Sequence, residues 1–555
     1  MISPVDSATA DSRGTPSAVK RALVLLLLVG CNAEGPMREP HPVSVRDELR
    51  PTDTSSGEMW RFLPSDTVER YDAPDGGYRV HFTRLAKNAV PATDVNADGT
   101  PDLVEAVASV YVEVGAKYHG ELGFRRPAND VALASNGGSD RFDIYLVDFA
   151  FSADGAFRTD ACTGEKCIGY VVQENDFVGY NYPNATVATR ILGSHEYFHA
   201  VQAAYDNNQG ANFSEGTAVW ATEHFDPTTN DFEGFLPQFL ARPDRSLDTA
   251  PTGPVSGYAY GSALFFEFLS QKYGVPIVRK LLERTENGSG HPSEPADAAN
   301  PRWLVQLDAI LKADHQSSFA EAFHTFIYWN FFTGPAADAT KSYANGAAYP
   351  APMMTTVAAP YRVDNQRVFY AASAWFQVPA AGRATMGAQL VDDPATAEDE
   401  TAGMALVIAV RRGGVNSLAL PITDVKSAAT FDTSGAATLV VAVVNTAREG
   451  NAGVLSKRPG LCIGSPDELS ACASALRPAP DAGIPDAGVP DAGLPDSGIP
   501  DAGTPDAGTA DAGIPDSGVT AVDPPKGCGC STASPALGAL LVLASALRRR
   551  YAAAN

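Results

Sequence analysis

Two histidines four residues apart bracket a glutamate in the run His195-Glu196-Tyr197-Phe198-His199. On a helix such a pair projects from one face, one turn above the other, so both imidazoles can reach one divalent ion at about 2.0–2.1 Å. Glu196 then lies beside the ion, where it can take a proton from a water that the ion acidifies. A hydrolytic Zn²⁺ site needs a third protein ligand and an open fourth position. A third histidine is not at the spacing that would supply it, because Gln202 and Tyr205 stand three and six residues after His199. A carboxylate on a second helix is the other common source. Glu215, in Phe213-Ser214-Glu215-Gly216-Thr217-Ala218-Val219-Trp220, follows His199 by 16 positions, and Glu223 lies about two helical turns beyond it.

A second metal pattern runs over residues 94–105. Asp94, Asn96, Asp98, the Thr100 carbonyl, Asp102 and Glu105 occupy the oxygen-ligand positions of a twelve-residue Ca²⁺ loop, with Gly99 at its sharp turn. Pro101 stands where a β-branched residue usually pairs, and no helical pattern enters the loop. The reading is a solitary loop–helix calcium site that fixes the helix starting near Leu103, against the plainer alternative of an Asp/Asn-rich helix cap without metal.

The elements that must position these residues indicate an α+β fold. Residues 78–83 and 141–147 alternate as strands, and 103–120 reads as a helix. From 189 to about 330 apolar residues recur at three- and four-residue spacing, as in 275–282, where Pro276 falls in a first turn, and in 319–332. Past residue 350 the pattern changes to short β-branched segments at 367–370, 404–410 and 437–444 with Gly-rich breaks, the signature of a small β-sandwich. The expected organisation is a signal or lipoprotein leader (1–33), a leader or propeptide-like segment (34–75), a zincin-like metallopeptidase domain (76–350) and a β-rich domain (351–475). A low-complexity linker (476–525) and a sorting or anchor tail (526–555) complete it.

The chain ends concern location. Lys20-Arg21 precedes an apolar run that stops at Cys31, too short for a permanent span but suited to an export signal. Leu28-Val29-Gly30-Cys31 has the form of a lipobox, with cleavage after Ala33 as the rival. Translation starting at Val19 would leave an ordinary basic leader. The seven Cys are Cys31 and three close pairs, of which Cys162 with Cys167 and Cys462 with Cys472 suit short disulfide loops in an oxidising compartment. Residues 480–518 repeat Pro-Asp-Ala-Gly and variants with a period of five, an extended, self-repelling spacer. With 45% hydrophobic and 19% charged residues the remainder is ordinary globular protein, and a net charge of −24 argues against nucleic acid as a partner.

Resemblances sharpen these expectations. Glu215-Gly216-Thr217-Ala218 resembles the third-ligand helix of gluzincin peptidases, which implies Zn²⁺ on His195, His199 and Glu215 with Glu196 as general base. Tyr258-Ala259-Tyr260-Gly261 is similar to the Tyr-x-x-Gly of aminopeptidase-type gluzincins, which implies an oxyanion-stabilising role for Tyr258, with Tyr260 close by. The Gly-x-Met-Glu-Asn strand that captures a free amino terminus is absent upstream of His195, which favours cleavage within chains. Residues 78–334 resemble secreted metalloproteases of myxobacteria. Gly527-Cys528-Gly529-Cys530, the apolar run after it and Arg548-Arg549-Arg550 resemble the myxobacterial sorting domain MYXO-CTERM, implying outer-surface display. The expected function is an exported zinc metalloendopeptidase acting on protein or peptide, held at the membrane through lipidated Cys31 or the tail. The alternatives are a catalytically inactive adhesion or binding protein on the same fold, and a zinc hydrolase of another specificity.

Overall fold

The computed structural model describes residues 50–53, 60–248, 256–286, 302–392, 398–418, 421–448 and 455–477. The expected export leader, the repeat spacer past residue 477 and the sorting tail lie outside them. The described chain is mixed α+β.

Five strands open it: β1 (Val68–Asp72), β2 (Tyr78–Thr83), β3 (Phe142–Val147), β4 (Gly155–Thr163) and β5 (Lys166–Glu174). Their spatial order is β1-β2-β3-β5-β4; β3 is parallel to β2 and β5, while β1–β2 and β4–β5 are antiparallel. Ile144, Tyr145, Leu146 and Val147 are all buried because both faces of the sheet are covered. On one face Val80, Phe82, Ile144, Leu146 and Val171 pack into the main core with α1 (Asp102–Gly115). On the other, Tyr145, Val147, Tyr170 and Val172 pack against Trp60, Phe62 and Phe149.

The Pro/Ser/Thr-rich stretch read as a leader over 34–75 therefore contributes to the fold from Arg50 onward. Arg50 is fully buried behind the sheet, ion-paired with Asp130, Asp143 and Asp160 and within hydrogen-bond reach of Tyr145 Oη at 3.1 Å. His81 Nε2 lies 2.7 Å from Asp143 Oδ1 at the edge of this cluster. The expected helix over 103–120 is α-helical only to Gly115 and then widens into a π turn at Ala116–Glu121. At Gly115 any Cβ would collide with the Tyr78 hydroxyl, so α1 approaches the sheet only with glycine there.

The helical layer comprises α2 (Ala185–Ala203), α3 (Ala211–Phe225), α4 (Asp231–Leu240), α5 (Gly257–Gly261), α6 (Ala263–Tyr273), α7 (Pro276–Thr285), α8 (Trp303–Asp314) and α9 (Phe319–Asn330). α2 begins where the Asn184 side chain accepts the Val187 N–H, and from Leu192 onward every residue in it is buried. It packs against α1, α3 and the strands β4 and β5.

The C-terminal region holds a four-stranded sheet ordered Ala429–Asp432, Thr385–Val391, Gly460–Gly464, Tyr361–Val363. A five-stranded sheet is ordered Val415–Leu418, Met404–Arg412, Thr438–Asn445, Ala372–Pro379, Thr355–Thr356. Strand alternation explains the apolar runs. Met404, Leu406, Ile408 and Val410 pack in a core with Met386, Ala388 and Leu390 of the four-stranded sheet, while Ala405, Val407 and Ala409 pack into the helical core. The Trp375 ring lies 4.4 Å from that of Phe331, just past α9, in a tilted pair, so this five-stranded sheet shares a core with the helices. Cys162–Cys167 closes the β4–β5 hairpin, and Cys462–Cys472 ties a strand to α10 (Pro466–Leu476).

Candidate metal centre

α2 is set by what its non-ligating residues do. Tyr197 Oη lies 3.1 Å from Tyr78 Oη and 2.8 Å from His119 Nε2, and Phe198 packs edge-on against Tyr118 and Phe124. With that side of the helix held in the aromatic core, His195 and His199 face α3. On its other side α3 packs closely against α6 because residue 216 is glycine: a Cβ there would collide with Ser262 Oγ and the Phe266 ring.

The result is a compact donor set. His195 Nε2 and His199 Nε2 are 3.1 Å apart, and Glu215 Oε2 lies 3.2 Å from the first and 3.4 Å from the second. A tetrahedral ion with bonds of about 2.05 Å has donor–donor edges of about 3.3 Å. The three atoms thus form a triangle of the size of one tetrahedral face, and among the described residues this is the group able to hold a metal. All three side chains are buried. Burial disfavours charge on Glu215, yet His199, then His195, outweigh it and hold the carboxylate at about 2. Burial likewise opposes charge on His199, and Glu215 overcomes it, raising that imidazole to about 9. Two nitrogens and one ionised oxygen suit a divalent ion of intermediate softness.

Glu196 is 1% exposed, so its raised pKa reflects burial first, with Glu215 adding to it and both histidines opposing. Its Oε2 accepts the Phe157 N–H at 2.7 Å, while Oε1 is buried without a hydrogen-bond partner. A buried carboxylate oxygen left open beside a metal triad is what a proton acceptor for water requires.

The other expected residues fall elsewhere. Glu223 lies two turns along α3 from the triad, among Glu233, Glu267, Asp231 and Asp226; burial and these neighbours push it up to about 8. The Tyr258 hydroxyl donates to the Arg245 carbonyl at 3.0 Å, and the residue lines a cavity with Phe239, Phe326 and Trp375. The tyrosine against the triad is Tyr260, whose ring lies 5.8 Å from that of His195 and stacks on Phe235 of α4 at 5.0 Å. Residues two apart on a helix point to nearly opposite sides, so only one tyrosine of the pair can face the donor triangle. Asp231, one turn before Phe235, is in electrostatic contact with His195 and with Asp154.

In the 94–105 loop, Asp94 accepts the N–H groups of Asp98 and Gly99, and Asp98 accepts that of Thr100. The Asn96 amide donates to Asp98 and Glu105, while Asp102 turns back to the Val95 N–H. Gly99 has φ +95°, the turn expected of it. These side chains are exposed or half-buried and do not form a buried donor set of the kind His195, His199 and Glu215 do.

Sequence reasoning passed over Gln202, treated only as a position lacking glycine. It sits three residues after His199 on the same helix face, and that spacing was the available signal.

No family model and no curated protein matches the chain. Among solved structures, Legionella pneumophila aminopeptidase A in complex with aspartic acid is similar over 67% of this chain and 36% of that chain, at 10% identity and a TM-score of 0.29. This chain thus spans about a third of that protein's length, and so loose a superposition carries no argument.

Proposed function

We propose that the chain is an exported zinc-dependent endopeptidase of gluzincin type. The observation that carries this reading is the donor triangle of His195, His199 and Glu215 with the unpartnered Oε1 of Glu196 beside it. Bound there, Zn²⁺ would supply Lewis acidity toward a water and the scissile carbonyl. Glu196 takes the proton of the attacking water and passes it to the departing amine, and the Phe157 N–H keeps its carboxylate in place. Tyr260, whose ring lies 5.8 Å from that of His195, is the phenol this reading assigns to the developing oxyanion.

β4 is an edge strand, and the Phe157 N–H that reaches Glu196 leaves its outer side. An extended peptide adding along that edge would pass the catalytic groups. Asp231 is in electrostatic contact with both His195 and Asp154, and this acidic pair close to the donor triangle favours substrates with a basic side chain near the scissile bond. Two formed disulfides support an oxidising compartment, in line with the export signal, membrane attachment through Cys31 or the tail, and surface display. Ca²⁺ in the 94–105 loop would stiffen the start of α1.

Metal analysis of the purified protein, combined with casein hydrolysis with and without chelator, tests the reading. Stoichiometric zinc and chelator-sensitive cleavage within chains are expected. A metal-free protein, or cleavage indifferent to chelator, rules it out.

A further inference from the structure

Gln202 has a bonding pattern that only a side-chain amide of its length can satisfy. It is 4% exposed, and its Nε2 lies 2.7 Å from the Ser214 carbonyl and 2.7 Å from Thr217 Oγ1. Thr217 Oγ1 is itself 2.8 Å from the Phe213 carbonyl. A carbonyl only accepts, so the Gln202 atom facing Ser214 is the NH₂, and the Thr217 hydroxyl, donating to Phe213, has a lone pair for the second N–H. The amide orientation is thereby determined, and Oε1 must face the other way. It lies 2.8 Å from His199 Nδ1. Because that oxygen only accepts, Nδ1 carries the hydrogen, and the lone pair of the neutral ring is at Nε2, the atom in the donor triangle.

We infer that Gln202 is the positioning residue of the metal centre. It sets the tautomer and rotation of His199 on α2 while gripping α3 at Ser214, the residue before Glu215, so that one amide holds two of the three ligands in register. Glutamate could accept from Nδ1 but not donate to Ser214 and Thr217. Lysine could donate but not accept, and asparagine is one methylene short. Outer partners of ligating histidines fix ring orientation and typically govern metal affinity by 10–100-fold.

The inference rests on reading the triad as a metal site, and the test separates the two. Zinc affinity is measured by chelator competition on wild type, Gln202→Met and Gln202→Glu, together with the visible spectrum of the Co²⁺-substituted proteins and thermal unfolding of the zinc-free forms. Gln202→Met, with no polar atom, is expected to weaken zinc about 10–100-fold and to alter the Co²⁺ bands. Gln202→Glu keeps the acceptor for Nδ1–H but sets a carboxylate oxygen against the Ser214 carbonyl, so it is expected to retain the wild-type spectrum and to recover only part of the affinity. A residue that merely packed would lower the unfolding temperature in both variants without separating their spectra. Zinc affinity and Co²⁺ spectrum of Gln202→Met equal to wild type, or Gln202→Glu no better than Gln202→Met, would overturn the inference with the metal site intact. A wild-type protein that takes up no zinc would overturn the metal reading, and this inference with it.

Discussion

The Phe157 backbone N–H donates to Glu196 Oε2 at 2.7 Å, joining an edge strand to α2 through the residue to which the proposed mechanism assigns the proton transfer. One carboxylate oxygen is thus anchored and the other left open. The strand whose outer side would carry substrate is the one that orients the base.

Glu196→Gln keeps an oxygen to accept the Phe157 N–H but cannot take a proton. Peptide hydrolysis should fall on the order of 10²–10⁴-fold while zinc content is unchanged. Steady-state kinetics and metal analysis on the same preparation check this, and near-normal turnover would remove Glu196 from the chemistry.

Arg50 supplies the cationic side of a buried cluster whose other members come from 80 to 110 residues away. Arg50→Met would leave Asp130, Asp143 and Asp160 without their counter-ion, a loss of about 3–5 kcal/mol in urea unfolding. Truncation ahead of Arg50 should be tolerated, and a chain starting at Trp60 should not fold. A stable, monomeric product starting at Trp60 would contradict this.

Glu223 is held up to about 8 by burial and by four neighbouring carboxylates, with one oxygen buried and unpartnered. In the folded state it keeps its proton where the unfolded chain has lost it. Its contribution is therefore fully present below the ordinary glutamate range and is lost as pH rises to about 8. Glu223→Gln should flatten the fall in stability over that window, read from urea midpoints at pH 5, 6.5 and 8. Parallel pH profiles for the two proteins would exclude Glu223 as the source.

Asp231 adds negative charge at the approach to His195. Asp231→Asn should reduce kcat/KM for peptides with Lys or Arg next to the cleaved bond, relative to Leu peptides, by roughly five- to tenfold, as for a charge pair worth about 1 kcal/mol. An unchanged ratio in a matched peptide series would place the acidic wall outside the substrate path.

What could be read from the chain alone was short-range. His195 and His199 share a face because four residues are about one helical turn, and Gly99 turns the acidic loop at its sixth position because glycine tolerates positive φ. The strand over 78–83, the helix opening at Pro276 and the two close cysteine pairs follow from period and proximity in the same way. Where a helix points relative to other helices is not encoded in its own period. It depends on which side groups fill the space between them. Hence Glu215 meets the histidines while Glu223 does not, and Tyr260 does so in place of Tyr258. Gln202 becomes a bridge only once α3 approaches, and the polar stretch before residue 75 hides an arginine whose partners arrive from far along the chain. Local periodicity determined the donors; packing across the helical layer decided which of them converge.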